Sequence, residues 1–320
     1  MFSSKLTEGK PESVQVSSDS IRAAIHEIRY NHGLDLHSFL MLRKGQLIWE
    51  EYFHDGMKDT PHVLHSISKS FTAMAIGFAQ ADGLLTTDDK VYDFFPEYKS
   101  LNDSSYKQEL TIKHLLTMSS GFENRERELM FCLLEGNLTP AALSQRMIHA
   151  PGTTFDYYTI GTFLLSAIFH KVNPEGIHTY LRRKLFDPLG MGKSQWNVDN
   201  DGVPLGGTGL FLTSYDLARY GQFLLQQGAW KGKQLLPKEW VSIATSKQMD
   251  NSHNGGANWT CGYGYQFWMN AFGGFRADGM KGQYVIVHPD KQIVIVMTSH
   301  LDHMEIPLNA VSDIILPNCI

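Results

Sequence analysis

His65-Ser66-Ile67-Ser68-Lys69-Ser70-Phe71 stands where the chain changes from a hairpin pattern to a helical one. A serine hydroxyl is a poor nucleophile unless a nearby base takes its proton. Positions i and i+3 share a helix face. Ser66 at a helix start and Lys69 one turn later can therefore bring hydroxyl and amine within hydrogen-bonding reach. The helix N-terminus adds unsatisfied backbone N–H groups and the positive end of a dipole, and burial can turn a lysine into a base. Ser68 and Ser70 adjoin Lys69 in sequence and so point away from its face. The plainer alternative is a serine that caps a helix, followed by a surface lysine. S-x-x-K alone does not choose between them.

Upstream, Asp19 to Asn31 has Ile21, Ala24, Ile25 and Ile28 on one helix face, with Asp19 or Ser20 to cap it and Gly33 to stop it. Ser38–Leu42 and Gln46–Phe53, split by Lys44-Gly45, read as a hairpin. Downstream, helical patterns cover Lys69–Asp82, Ile112–Thr117, Pro140–His149, Thr159–Lys171 and Pro174–Leu185. Ser214–Gln227 and Pro237–Ser246 follow as helices with credible starts. Strands return at Tyr263–Met269, Gly274–Ala277, Gln283–His288 and Gln292–Thr298, the last pair joined at Asp290-Lys291. A helix near His303–Ile315 closes the chain. This order predicts an α+β fold: one antiparallel sheet built from both ends and flanked by terminal helices. Residues 1–65 and 205–320 would form the sheet domain and 66–204 an inserted, mostly helical domain. Ser66 would then sit at the seam, where pockets usually form.

At 320 residues, with 42% hydrophobic and 19% charged, the chain can bury a large core. A net charge of −5 without a basic stripe argues against nucleic acid as a partner. Cys132, Cys261 and Cys319 are scattered and odd in number, which fits reduced thiols and offers no zinc spacing. No run of about 18 apolar residues predicts a membrane span. Met1 to Ser20 is polar and lacks the apolar core of a secretory signal. The expectation is a cytoplasmic protein, or an exported one if a signal has been removed.

Several further stretches carry a resemblance. Leu64 to Thr72 looks like the nucleophile segment of the serine β-lactamase, penicillin-binding-protein and esterase superfamily. Thr111 to Phe122 resembles its flanking loop, and Pro151-Gly152-Thr153-Thr154-Phe155-Asp156-Tyr157-Tyr158-Thr159 its second motif, P-G-x-x-F-x-Y-S-N. Phe186 to Met191 and Asp216 to Gly221 are similar to two structural signatures of that fold. Asp216–Gly228, Trp230–Trp240 and Ala277–Gln283 look most like 6-aminohexanoate-dimer hydrolases and related carboxylesterases.

The resemblance implies a β-lactamase/transpeptidase-like fold and a serine hydrolase without metal or cofactor, acting on small esters or amides. It implies Ser66 as nucleophile, Lys69 as base, Tyr157 as proton relay, and the backbone N–H groups of Ser66 and Met280 as the oxyanion hole. Tyr158 would face solvent. Two departures bear on the substrate. Thr159 occupies the motif's asparagine position and is too short to span the same gap; Ala277-Asp278-Gly279 replaces a K-T-G or H-G-G tripeptide. Thr159, Ala277 and Gly279 are the substrate-side positions; Lys281 and Arg276 are near enough to substitute for the cation, the plainer reading being a surface lysine beside a turn with no specific role. The alternatives are penicillin binding, β-lactamase or D,D-peptidase activity, and a sensor that is acylated without turnover.

Other features read as structural. His26-Glu27 to His32 lacks zinc-helix spacing. Asp199-Asn200-Asp201-Gly202 reads as a polar turn rather than a calcium loop. The fourteen histidines show no cluster along the sequence. Trp240, Trp259, Trp268 and Phe272 read by default as core packing, with the lining of an apolar acyl pocket as the alternative.

Overall fold

The computed structural model describes residues 5–54, 57–125 and 138–319, so Cys132 lies outside the described residues. Short strand β1 (Thr7–Glu8) precedes helix α1 (Ser18–His26), which widens into a π turn through Asn31. The cap of α1 is Ser17 rather than Asp19 or Ser20, and its side chain accepts from Ser20 N at 3.4 Å. The hairpin follows as β2 (Asp35–Arg43) and β3 (Gln46–Tyr52). Next come β4 (His62–Val63) and helix α2 (Ile67–Ala81).

The helical stretch contains α3 (Ile112–Leu116) and α4 (Thr159–Val172). The helix expected at 140–149 covers only Leu138–Leu143. Beyond it the chain extends to hydrogen-bond with the flanking loop, Ile148 N donating to Gly121 O at 2.8 Å. Strands β5 (Gln195–Trp196) and β6 (Leu210–Leu212) join β4 in a small sheet ahead of helix α5 (Ser214–Leu225). After the ribbon β7 (Ala229–Trp230) and β8 (Lys233–Gln234) come β9 (Trp268–Met269), β10 (Phe275–Gly279), β11 (Gln283–His288) and β12 (Ile293–His300). Helix α6 (Glu305–Ala310) follows.

The main sheet runs β1-β3-β2-β12-β11-β10-β9. All its pairings are antiparallel except β1 with β3, which is parallel, so the sheet is mixed rather than wholly antiparallel. The strand expected over Tyr263–Met269 is reduced to its last two residues. Gly264 passes so close to Ala244 O that a Cβ would lie at 2.1 Å, and Gln266 is left-handed at φ 64°. A ladder cannot run through that bend.

Side-chain alternation builds three layers. On β12, Val294 and Val296 face the core shared with α2, α4 and α5, while Ile293, Ile295 and Met297 face α1 and α6. Buried on both faces, the strand reads as a continuous apolar run. Helix α5 lies against the sheet at Gly221, where a Cβ would be 2.3 Å from Val294 Cγ1 and 3.1 Å from Val285 Cγ1. Stacking of Phe71 on Tyr220, with centroids 4.0 Å apart, fastens α2 to α5.

Replacement of Gly221 by alanine is therefore expected to cost about 1–3 kcal/mol through overpacking. Urea unfolding of the two proteins, compared at equal m-value, reads that difference.

Candidate active site

The segment from β4 into α2 turns sharply at His65, which is left-handed at φ 47°. Histidine is among the few non-glycine residues enriched in that region. The turn is secured by Ser68, whose hydroxyl donates to His65 O at 2.7 Å and accepts from Leu210 N at 3.2 Å. Ser70 donates to Gln266 O at 2.8 Å. Both rival serines are buried in structural bonds. Ser66 occupies the N-cap position of α2, yet its side chain makes no capping bond.

That hydroxyl instead meets Lys69, whose Nζ donates to Ser66 Oγ at 3.0 Å. The same amine donates to Thr159 Oγ1 at 3.1 Å and to Gly207 O at 2.9 Å. It also lies 4.9 Å from the centroid of the Tyr157 ring. Lys69 is 1% exposed, so the alternative of a surface lysine behind a capping serine does not hold. Thr159, at the motif's asparagine position, thus bonds the lysine.

Tyr157 is positioned by two loops hydrogen-bonded to each other. Asp156 N donates to Met118 O at 2.8 Å, and Gly152 N to Ser119 O at 2.8 Å. Asn124 donates to Tyr157 O at 3.1 Å. The ring stacks on Trp268 at 5.3 Å and meets Tyr263 edge-on at 6.2 Å. Tyr157 is half-buried, whereas Tyr158 is buried in the core beside Phe122. The expectation that Tyr158 faces solvent is thus reversed, because Tyr158 precedes α4 on its core side.

On the opposite wall, Gly279 ends β10 so near the nucleophile strand that a Cβ would lie 2.4 Å from Leu64 O. Met280 follows this contact with its side chain exposed. Ala277 is buried and packs into the core shared with α2. The two suggested cations are both paired, Arg276 in the interior and Lys281 at the surface. Arg276 is 0% exposed and bonds Asp278 Oδ2 at 2.9 Å, Asn270 Oδ1 at 3.0 Å and Asn258 O at 2.8 Å. Lys281 pairs with Asp302. Burial pushes the Asp278 carboxyl up; Arg276 and the Trp259 indole N–H oppose that shift. His65, beside Ser66, is held below the ordinary imidazole range by burial, with the charges of His300 and Lys281 adding to it.

The four aromatic residues divide between core packing and the wall of the site. Trp268 adjoins Tyr157, and Trp259 lies next to it over Arg276. Trp240 instead packs against Gly77 of α2, and Phe272 lies on the other face of the sheet. Phe155 and Tyr263 complete the aromatic wall.

Residues that sequence reasoning missed are Gly206 and Gly207, the bridging Gln266, and Asn124. A Cβ on Gly207 would lie 2.6 Å from Thr159 Cγ2, and one on Gly206 2.9 Å from Thr162 O. The signal was present in Leu205-Gly206-Gly207-Thr208-Gly209, a glycine cluster whose purpose only the packing reveals. Asp199 forms the polar turn expected of its sequence, accepting from Val203 N at 2.8 Å. Cys261 and Cys319 are both unpaired thiols. A separate cavity of about 700 Å³, lined by Pro188, Trp230 and Leu235, shares no residue with this cluster and holds no serine, cysteine or histidine. No helix among the described residues is long and apolar enough to cross a membrane.

The profile of the beta-lactamase family matches residues 22–311. An uncharacterized protein of Alkalihalophilus pseudofirmus is 25% identical over 247 residues, 68% of this chain and 66% of that protein. This chain thus spans just under two thirds of that relative's length. A candidate 6-aminohexanoate-dimer hydrolase from Bacillus anthracis superposes with a TM-score of 0.75 at 21% identity, over 88% of this chain and 79% of that one. EstCE1, a hydrolase with promiscuous acyltransferase activity, gives 0.72 at 17% identity, over 91% and 95%. At such identities the likeness establishes the fold.

Removing the Arg276 side chain, as in Arg276→Leu, leaves Asp278 buried without its counter-charge. A loss of about 3–5 kcal/mol is expected, and chemical denaturation measures it. A change within error would mean that solvent reaches Asp278.

Proposed function

The chain belongs to the beta-lactamase family, and we propose that it is a serine hydrolase cleaving small esters or amides through an acyl-enzyme on Ser66. The observation that carries this reading is the 3.0 Å contact between Lys69 Nζ and Ser66 Oγ. A neutral amine has two protons and a lone pair. Once the ammonium that donates to Ser66 has lost a proton, the remaining two can stay on Gly207 O and Thr159 Oγ1, both acceptors, and the lone pair then faces the Ser66 hydroxyl.

Ser66 Oγ attacks the substrate carbonyl carbon as its proton moves to Lys69 Nζ. The backbone N–H groups of Ser66 and Met280 hold the resulting oxyanion, a contribution typically worth about 3–4 kcal/mol per donor. Tyr157, its ring beside the amine, relays the proton to the departing alcohol or amine. Water then attacks the acyl-enzyme by the same route in reverse and regenerates Ser66. No step calls for a metal or cofactor.

The lining bears on substrate class. Ala277 contributes no charge, Arg276 is committed to Asp278 in a buried pair, and Lys281 is drawn toward the exposed Asp302. Among the described residues of that wall a substrate carboxylate finds no buried counter-charge left to it, and Thr159 is already engaged with Lys69. Thr159, Ala277 and Gly279 thus favour uncharged acyl groups over penicillins.

An active-site phosphonate should label Ser66 alone by mass spectrometry. Ser66→Ala should abolish hydrolysis, while Ser68→Ala keeps the label on Ser66. Labelling of another serine in the wild-type protein would remove the assignment. A second expectation separates esterase from β-lactamase chemistry. An ion pair and a hydrogen bond to substrate, each worth about 1–3 kcal/mol, together amount to roughly two to four powers of ten in efficiency. The kcat/KM for a short p-nitrophenyl ester should exceed that for a chromogenic cephalosporin by that order, and equal values would refute the argument from the lining.

A further inference from the structure

The histidines, scattered along the sequence, are not scattered in space. Asp35 and His37 alternate on β2, and His54 follows the end of β3. Their side chains converge: His37 Nε2 lies 3.1 Å from Asp35 Oδ2, and His54 Nε2 lies 2.7 Å from Asp35 Oδ1. One ligand atom from each of the three falls within 4.8 Å of the others. Behind them, His37 Nδ1 meets His62 Nε2 at 2.7 Å, and His62 Nδ1 lies 3.2 Å from Val63 O.

Hydrogen-bond accounting gives this chain a direction. Val63 O can only accept, so His62 Nδ1 carries a proton. A neutral His62 then accepts at Nε2 from His37 Nδ1–H. A neutral His37 is left with its lone pair on Nε2, aimed at the Asp35 carboxylate. Two acceptors at that distance repel unless a cation lies between them. A proton would serve, giving an imidazolium; so would a metal ion, with His37 Nε2, His54 Nε2 and one Asp35 oxygen as ligands.

We propose that Asp35, His37 and His54 form a binding site for a divalent transition-metal ion of the zinc type. Two imidazoles and a carboxylate suit that class. Zinc bonds of about 2.0–2.2 Å require ligand atoms roughly 3.3 Å apart, which small side-chain rotations supply from the observed contacts. The ligands are reachable: the side chains of Asp35 and His54 are 52% and 47% exposed, and that of His37 15%. His62 is the outer partner that fixes the His37 tautomer, a role usually worth about 10–100-fold in metal affinity. The ion would clamp β2 to the chain beyond β3. Through His62 it would also brace β4, the strand that leads into Ser66. Solvent water would complete the coordination.

The test uses the full chain without an affinity tag, stripped by chelator and titrated with zinc chloride in a calorimeter. One equivalent is expected to bind, and cobalt(II) should give the visible absorption of a four-coordinate site. His37→Ala, His54→Ala and Asp35→Asn should each weaken zinc at least tenfold, and His62→Phe by roughly 10–100-fold. His32→Ala, at an exposed histidine paired with Glu27, should change nothing. Absence of stoichiometric binding in the wild-type chain would overturn the proposal, leaving the imidazolium–carboxylate pair. So would undiminished binding in a folded His54→Ala protein, whose half-exposed ring keeps the test valid even if His37→Ala fails to fold.

Discussion

A lysine buried to 1% exposure has to have its polar hydrogens met by the protein, and in this chain that requirement joins three separate segments. Ser66 comes from the same helix, Thr159 from the start of α4, and the Gly207 carbonyl from the loop before β6. The loop reaches the amine only because Gly206 and Gly207 carry no side chain against α4. Thr72 takes the neighbouring Gly206 carbonyl at 2.9 Å, so the same loop is anchored twice along α2. Gln266 does similar work nearby, donating to Leu115 O and Leu116 O while accepting from Thr162 Oγ1 at 2.7 Å. Displacing any one of these contacts exposes a buried polar group, which makes the cluster rigid as a unit.

The sheet supplies the other wall. Its central strands are apolar on both faces, and α5 seated at Gly221 holds α2 against them. Strand β10 departs from this pattern. Arg276 and Asp278 sit on its terminal-helix face as a buried ion pair, ringed by Trp259, Asn258 and Asn270. That pair costs desolvation, and what it does here is hold the strand end, with Gly279, against the Leu64 carbonyl next to Ser66. A charge that in sequence looks available to substrate is thereby spent on architecture.

Much of the fold was legible in the chain because its signals are local. Apolar periodicity outlines α1, α4 and α5, short apolar runs outline β2, β3, β11 and β12, and the i, i+3 spacing of Ser66 and Lys69, read together with the neighbouring motifs, points to the contact of hydroxyl and amine. The positions misread are those where a distant segment decides. Tyr157 and Tyr158 are neighbours in one motif, and only the packing of α4 against the core assigns one to the cleft and the other to the interior. The strand expected from Tyr263 fails because Gly264 must slip past Ala244.

What the sequence by itself determined is therefore the family, the order of elements and the pairing of Ser66 with Lys69. The tertiary structure alone decided the partners: which residues meet Lys69, which cation is consumed by Asp278, and that histidines 17 residues apart along the chain share one carboxylate (54 − 37). The physical reason is range. Periodicity and helix spacing act within a turn or two. Hydrogen-bond satisfaction and charge pairing are settled by whichever groups the fold brings within about 3 Å, and no local pattern in the chain records that.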